Sequence, residues 1–427
     1  MSSTHRQAAE HPLRRTLLSP SVWAVPAGLV SVLALLLPLI YMGGILDPRG
    51  DMKNLPIGLV SEDRGATGAE ALGPRIAASL RAADPDRHLD WKPLGLAEAR
   101  RQLASDELYG VLVIPPDFTA RVQSLTTGGH QAAPAPARPR IDVLTNPGAG
   151  SLGSSLASST MQQAAHGASQ RLGAVLLAGN TADGVPDPGP ATRLLLADPV
   201  EVSVSVGHPI GTRTGMGLSA FYYALLLVLI GFLSAGIVSS GTDVGLGYAA
   251  SDFGPLRTHR PLVAISRRQA FLVNTGFTVA LAPVTALLLL AVTVGFLDMD
   301  AGHLPLLWVY SVCATAAVGV GVQALTSVLG ALGQPVAMLL FIALALPSSG
   351  GTIPVQAVPA AYRLLAEFEP MRQVTDGVRA IFYFGAQADA GLTRAWAMTG
   401  AGLVAALLLG LAVTTYYDRR GLHRLAR

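Results

Sequence analysis

Six apolar segments divide this chain unevenly: one stands alone near the start and five crowd into the second half. The lone segment covers about 21–44, a polar stretch fills 47–214, and the rest fall within 215–417. A membrane-spanning helix needs about 20 consecutive apolar residues. The spacing therefore predicts an α-helical integral membrane protein with six transmembrane helices. It also predicts a mixed α/β extracytoplasmic domain inserted between helices 1 and 2. The expected spans are 21–44, 216–240, 269–296, 305–329, 334–349 and 396–417.

Charge supports this division. Charged residues make up 13% of the chain, against about 25% in soluble proteins. From Leu304 to Tyr362 there is no Asp, Glu, Lys or Arg, a window that holds two spans. The first segment follows Arg14 and Arg15, as a secretion signal would. Its apolar run exceeds the roughly 7–15 residues of a signal core, so it reads as an uncleaved anchor.

Arginine near span ends marks the cytoplasmic side. Arg6, Arg14 and Arg15 precede the first span. Arg257, Arg260, Arg267 and Arg268 lie between the second and third, and Arg419, Arg420, Arg424 and Arg427 follow the sixth. A six-span count puts all of these on one side, with both termini cytoplasmic and 45–215 outside. Arg363, Arg372, Arg379 and Arg394 fall on the outer side, offset by Glu367, Glu369 and Asp376.

Within 45–215, strands are expected at 55–60, 89–94, 109–114, 141–144 and 200–206. Helices are expected at 66–82, 96–104, 118–125 and 150–177, with loops at 127–140 and 181–190.

Several chemistries lack their residues. A phosphate-binding P-loop needs Gly-Lys followed by Ser or Thr, but Lys53 precedes Asn54 and Lys92 precedes Pro93, and there is no third lysine. Any ATP-driven step thus takes its ATPase from another chain. Neither a His-Glu-x-x-His motif nor a Gly-x-Ser-x-Gly elbow occurs, and the lone Cys313 makes no zinc knuckle. No catalytic, metal or cofactor residue is expected, and the chain does not read as an enzyme. A net charge of +3 without basic runs gives no sign of nucleic-acid binding. The expected spans carry no ionisable residue near their centres, unlike most ion-coupled carriers.

Certain stretches resemble a family. Ile57-Gly58-Leu59-Val60-Ser61-Glu62-Asp63-Arg64-Gly65 and Tyr109-Gly110-Val111-Leu112-Val113-Ile114-Pro115-Pro116-Asp117-Phe118 are similar to segments of ABC type-2 exporter permeases with a large extracytoplasmic domain. Gly215-Met216-Gly217-Leu218-Ser219-Ala220-Phe221 opens the second span as in the YhgE/Pip-like branch. Glu369-Pro370-Met371-Arg372, Asp376-Gly377-Val378-Arg379-Ala380-Ile381 and Tyr383-Phe384-Gly385 resemble the motif before the last helix. Long members of that branch carry an outer helical stalk, for which this chain has no room.

The resemblance implies the membrane subunit of an ATP-binding-cassette exporter in a bacterial plasma membrane, moving a drug, natural product or lipid-like molecule outward. The implied partners are an ABC ATPase subunit, a second permease subunit and membrane lipids. The chain would divide into a cytoplasmic elbow at 1–20, the first helix, the α/β domain at 45–215, a five-helix permease body at 216–417 and a tail at 418–427. Arg14, Arg15, Asp243, Asp252, Arg257, Arg260 and Arg267 are the implied ATPase-coupling surface. Residues 360–384 would form two short helices split by Pro370, re-entrant or amphipathic, within an outer segment at 350–395. Glu367, Glu369, Arg372, Asp376 and Arg379 would there form an outer gate. The rival reading is a membrane-anchored scaffold or secretion component whose outer domain binds a partner without transport.

Overall fold

The computed structural model describes residues 20–84, 87–127, 137–182, 190–253, 256–422 and 424. Arg14, Arg15 and the rest of the expected elbow before residue 20 lie outside these, as does most of both expected loops. The described chain is mostly helical and carries one small mixed sheet.

The sheet has five strands in the order β2-β1-β3-β4-β5. They are β1 (Leu55–Ser61), β2 (Leu89–Pro93), β3 (Gly110–Ile114), β4 (Arg140–Thr145) and β5 (Glu201–Val206). β1 pairs parallel with both β2 and β3, β4 runs antiparallel to β3, and β5 returns parallel to β4. Every residue of β3 is buried, which is why its sequence is an unbroken apolar run rather than an alternation. Leu112 and Ile114 face one layer, and Val111 and Val113 the other.

Helices cover both faces. α1 (Pro20–Gly43) is the lone apolar segment, and the domain then adds α2 (Gly73–Ala82), α3 (Leu96–Ala104), α4 (Phe118–Thr127), α5 (Ser151–Ala182) and α6 (Pro190–Ala197). On one face Leu156, Ala157, Met161 and Ala165 of α5 join Phe118 and Val122 of α4 against Leu112 and Ile114. On the other, Ala99 and Leu103 of α3 meet Val111 and Val113.

Two expectations for this domain need correction. The helix over 66–82 starts only at Gly73. Asp63 is the reason: its carboxylate accepts from Gly73 N at 2.8 Å, Thr119 N at 3.1 Å and Thr119 Oγ1 at 2.5 Å. Those bonds hold 63–73 in a turn, with Gly65 and Gly68 at positive φ. Helix α6 was not expected, and α5 runs to Ala182 into the expected loop.

The helical body follows with α7 (Ser219–Gly245), a short hairpin of β6 (Ser251–Phe253) and β7 (Leu256–Thr258), α8 (Arg267–Leu290) and α9 (Leu304–Leu329). It continues with α10 (Gly333–Met338), α11 (Ala345–Ser348), α12 (Ala360–Leu365), α13 (Pro370–Tyr383) and α14 (Thr393–Arg419). Among the described residues, four helical runs are long and apolar enough to cross a membrane: Ser219–Gly245, Arg267–Phe296, Leu304–Ser348 and Ala388–Arg419. Val30–Gly43 of α1 is a shorter apolar helix. By this measure the chain is a membrane protein. Leu272, Phe277, Leu281, Val284 and Leu288 of α8 are exposed, an apolar face suited to lipid.

The third run is folded back on itself. Gly330 adopts φ +60, and a Cβ on Gly333 would lie 2.4 Å from Thr326 Cα, so the limbs touch at the turn. Further along, Phe341 packs on Gly321. The expected spans 305–329 and 334–349 are thus the two limbs of one hairpin. The second limb is interrupted by a π-turn at Leu339–Ala343.

α9 sits at the centre of the body, against α7, α8 and α14. Pro370 does split the expected pair of short helices, as the first residue of α13. Met371, Val374, Val378 and Ile381 of α13 are buried in the same core as α7 and α9. The segment between α11 and α12 belongs to the other core: Ile353, Ala357 and Val358 pack with the sheet. That segment pins the domain to the body.

Candidate functional site

Three places in the helical body hold the residues that carry chemistry. The first is the junction under the α/β domain, organised by α13. Glu369 caps this helix, accepting from Met371 N and Arg372 N at 2.8 Å each. A turn later Arg372 pairs with Asp376 at 3.6 Å, the i, i+4 spacing that aligns side chains on a helix. Arg379, only 4% exposed, donates from Nη2 to Gly350 O at 2.8 Å and Gly351 O at 3.3 Å. Its Nε is buried without a partner.

Four of the five expected gate residues therefore line one buried helix. Glu367 does not join them. Its side chain is exposed, and only its carbonyl takes part, accepting from Gln373 Nε2 and Arg394 Nη2.

Sequence reasoning missed Asp106, which stands in the α3–β3 turn at φ +59. Burial pushes its carboxyl up to about 7, with Arg379 opposing and Asp376 reinforcing. Glu369 is likewise raised to about 7 by burial, against the pull of its two backbone donors. Burial also raises Asp376, against Arg372, Arg379 and Arg394. Nothing in Ser105-Asp106-Glu107 signals that the turn meets α13. The junction thus gathers three carboxyls whose neutral forms are favoured by burial. It is also stitched across the domains by Tyr109 Oη donating to Gln356 Oε1 at 3.2 Å.

The second place is an apolar groove of about 430 Å³ between α9, α14 and the folded-back limb. Ala317 and Gly321 of α9 and Gly402 and Ala405 of α14 line it, together with Phe341 and Phe368. Gly400, also on α14, does not line the groove. The groove has one polar demand: Gln373, 2% exposed, lines it with Oε1 unpartnered. A buried acceptor without a donor costs about 1–3 kcal/mol.

The third place lies at the far end of α7. Ser219, at its start, contacts the Tyr383 hydroxyl at 2.7 Å beside the junction. Asp243 is about 36 Å further along at ~1.5 Å per residue. There a polar cavity of about 470 Å³ gathers Asp243, Tyr248, Arg267, Asn274, Thr414 and Arg424. Arg424 reaches Asp243 at 2.5 Å and lies over the Tyr248 ring at 4.4 Å. Asp418 accepts from Arg267 N and Arg268 N at 2.9 and 3.0 Å, so α14 caps the start of α8.

Of the expected coupling residues, Asp243 and Arg267 line this cavity together. Arg257 is on β7 and exposed, opposite Asp252 in the ladder, and Arg260 is exposed just beyond. Arg14 and Arg15 are outside the described residues. Arg424, Tyr248 and Asp418 were missed: in the sequence Arg424 looks like any charge flanking a span. No cluster of three His, Cys, Asp or Glu residues suited to a metal ion occurs among the described residues.

The chain belongs to the family described as "Protein of unknown function (DUF3533)", which matches residues 28–401. No curated protein and no solved structure matches it.

Proposed function

We propose that this chain is the membrane-spanning permease subunit of an ATP-binding-cassette exporter. It moves a hydrophobic or amphipathic substrate outward, powered by a separate ATPase. In this reading it crosses the plasma membrane six times, both termini are cytoplasmic, and the α/β domain stands outside. The arginine bias of the loops supports the sidedness. The hairpin supports two crossings for Leu304–Ser348. As a single straight helix it would be about 68 Å long, more than twice a ~30 Å bilayer core.

The observation that carries the reading is the α9–α14 groove. It is apolar, lined by small residues, and holds one unpartnered acceptor, Gln373 Oε1. Pockets of about 300–1,000 Å³ with few polar groups suit amphipathic small molecules. The groove lies between the polar cavity on the arginine-rich side and the charged junction under the α/β domain. An ATPase docking at the Asp243–Arg267 cavity would act on α7 and α8, which frame α9.

The test is co-purification with candidate ATPases, followed by efflux of amphipathic dyes. Ala317→Trp, which fills the groove, is expected to cut efflux at least tenfold while an ATPase still binds. If no ATPase co-purifies and cells lacking the chain export every tested dye normally, the exporter reading falls. The scaffold reading then stands in its place.

A further inference from the structure

Another cavity, of about 410 Å³, opens within the α/β domain. Its walls follow from helix and strand periodicity. Thr160, Ala164, Gly167 and Arg171 recur along one face of α5, and Leu89 and Trp91 share one face of β2. Met52, Leu80 and Leu89 make an apolar floor, each at most 6% exposed.

The polar groups around it are out of balance. Asp84 is already engaged, accepting from Leu89 N at 2.7 Å and from His88 N at 3.1 Å, with His88 Nδ1 also at 3.1 Å. Arg49 and Arg171 are exposed at the cavity, and neither side chain has a hydrogen bond or ion pair among the described residues. Trp91 Nε1 is buried with no partner, a donor that lacks an acceptor at a cost of about 1–3 kcal/mol. A Cβ added at Gly167 would meet nothing within 4 Å, so the cavity is open there.

We infer that this cavity binds an amphiphilic anion, a phosphate or carboxylate head on a hydrocarbon tail. Arg49 and Arg171 receive the head, a ligand oxygen accepts from Trp91 Nε1, and the tail covers Met52, Leu80 and Leu89. Arg49 follows the end of α1 at Gly43 by only a few residues, a reach of about 20 Å at most. Either a membrane lipid or a free amphiphile can therefore arrive. The inference does not rest on the transport reading, because it concerns binding alone and needs no ATPase.

The experiment uses the full chain in phosphatidylcholine nanodiscs, with tail-brominated dodecyl phosphate or dodecanoate as quencher of tryptophan fluorescence. Saturable quenching is expected, after subtraction of empty discs, and Trp91→Phe should remove the quenched component. The double variant Arg49→Ala/Arg171→Ala is expected to weaken binding at least about tenfold, as for lost charge-assisted bonds. Gly167→Phe should block binding with an unchanged thermal midpoint. Competition by added phosphatidylglycerol identifies a membrane lipid as occupant, and its absence a free amphiphile; either supports the site. Equal binding of brominated dodecyltrimethylammonium or dodecanol would overturn it. So would quenching that survives the arginine substitutions, or inorganic phosphate binding as tightly as the tailed anions.

Discussion

Arg379 donates from Nη2 to the carbonyl oxygen of Gly350 at 2.8 Å, and this bond joins a buried helix to the segment that carries the α/β domain. The Gly351 carbonyl shares the same nitrogen at 3.3 Å. Hydrogen bonds to charged groups contribute about 1.5–3 kcal/mol each when buried acceptors depend on them. Arg379→Met is therefore expected to destabilise the fold by about 2–3 kcal/mol and to expose 350–359 to proteolysis. Gly150→Ala should act the same way, because its Cβ would come within 2.8 Å of Arg379 Nη2 at a backbone φ of +112. Thermal unfolding in detergent and limited proteolysis read both effects. An unchanged midpoint for Arg379→Met would show that the junction does not depend on this bond.

The raised carboxyls at the junction make stability depend on pH in a defined direction. Burial lifts Asp106 from 3.8, and Glu369 from 4.5, to about 7 in the folded chain. Between those limits the native state holds protons that the unfolded state has lost, so stability falls as pH rises toward 7 and then levels off. Asp106→Asn keeps the left-handed turn, which Asn tolerates, and cannot ionise. It is expected to flatten part of the fall between pH 5 and 7 and to melt higher than the parent at pH 8. Melting curves at pH 5, 6, 7 and 8 decide the matter. A parent that gains stability on this variant as pH rises would mean that the Arg379 charge outweighs burial.

The same junction shows what can be read in a sequence and what cannot. β3 was legible because an apolar run ended by Pro115 admits few structures other than a buried strand. The start of α13 was legible because Glu369 followed by Pro370 is both a cap and a first-turn proline. Local signals of that kind survive folding. Asp63 shows their limit: it holds Thr119, far along the chain, and that long-range bond overrides the helical pattern after Gly65. Asp106 and Arg424 show it again. Each has ordinary neighbours in sequence and acquires its role only from a helix brought up by the fold.

Gln323, 1% exposed in α9, is a buried polar group whose partners are complete. Its amide donates to Ala235 O at 2.9 Å and accepts from Ser239 Oγ at 2.9 Å, tying α9 to α7. Interhelical hydrogen bonds in membranes contribute roughly 0.6–2 kcal/mol. Gln323→Leu removes both of these bonds and a longer one from Nε2 to Thr278 Oγ1 of α8 at 3.4 Å, and it leaves Ser239 to find another acceptor. A loss of about 1–2 kcal/mol in detergent unfolding is expected. Ser239→Ala should cost less, and the double variant should fall short of the sum, because the residues share one bond. Simple additivity would show that the pair does not interact.

The Asp243–Arg424 pair ties the chain's tail to the end of α7, and a charge swap separates that structural role from partner docking. The side chains are partly exposed, at 32% and 22%, so the pair contributes only about 1 kcal/mol. Asp243→Arg places like charges together beside Arg267 and is expected to lower the melting midpoint by a few degrees. Asp243→Arg/Arg424→Asp restores an opposite pair and should recover most of that loss. ATPase co-purification gives the second readout. If the cavity only holds the tail in place, the swapped chain binds the ATPase as well as the parent does. If the ATPase reads the charge pattern of the cavity, binding stays weak in the swap although stability returns. The exporter reading predicts the second result. Recovery of both properties together would confine Asp243 and Arg424 to a structural tie.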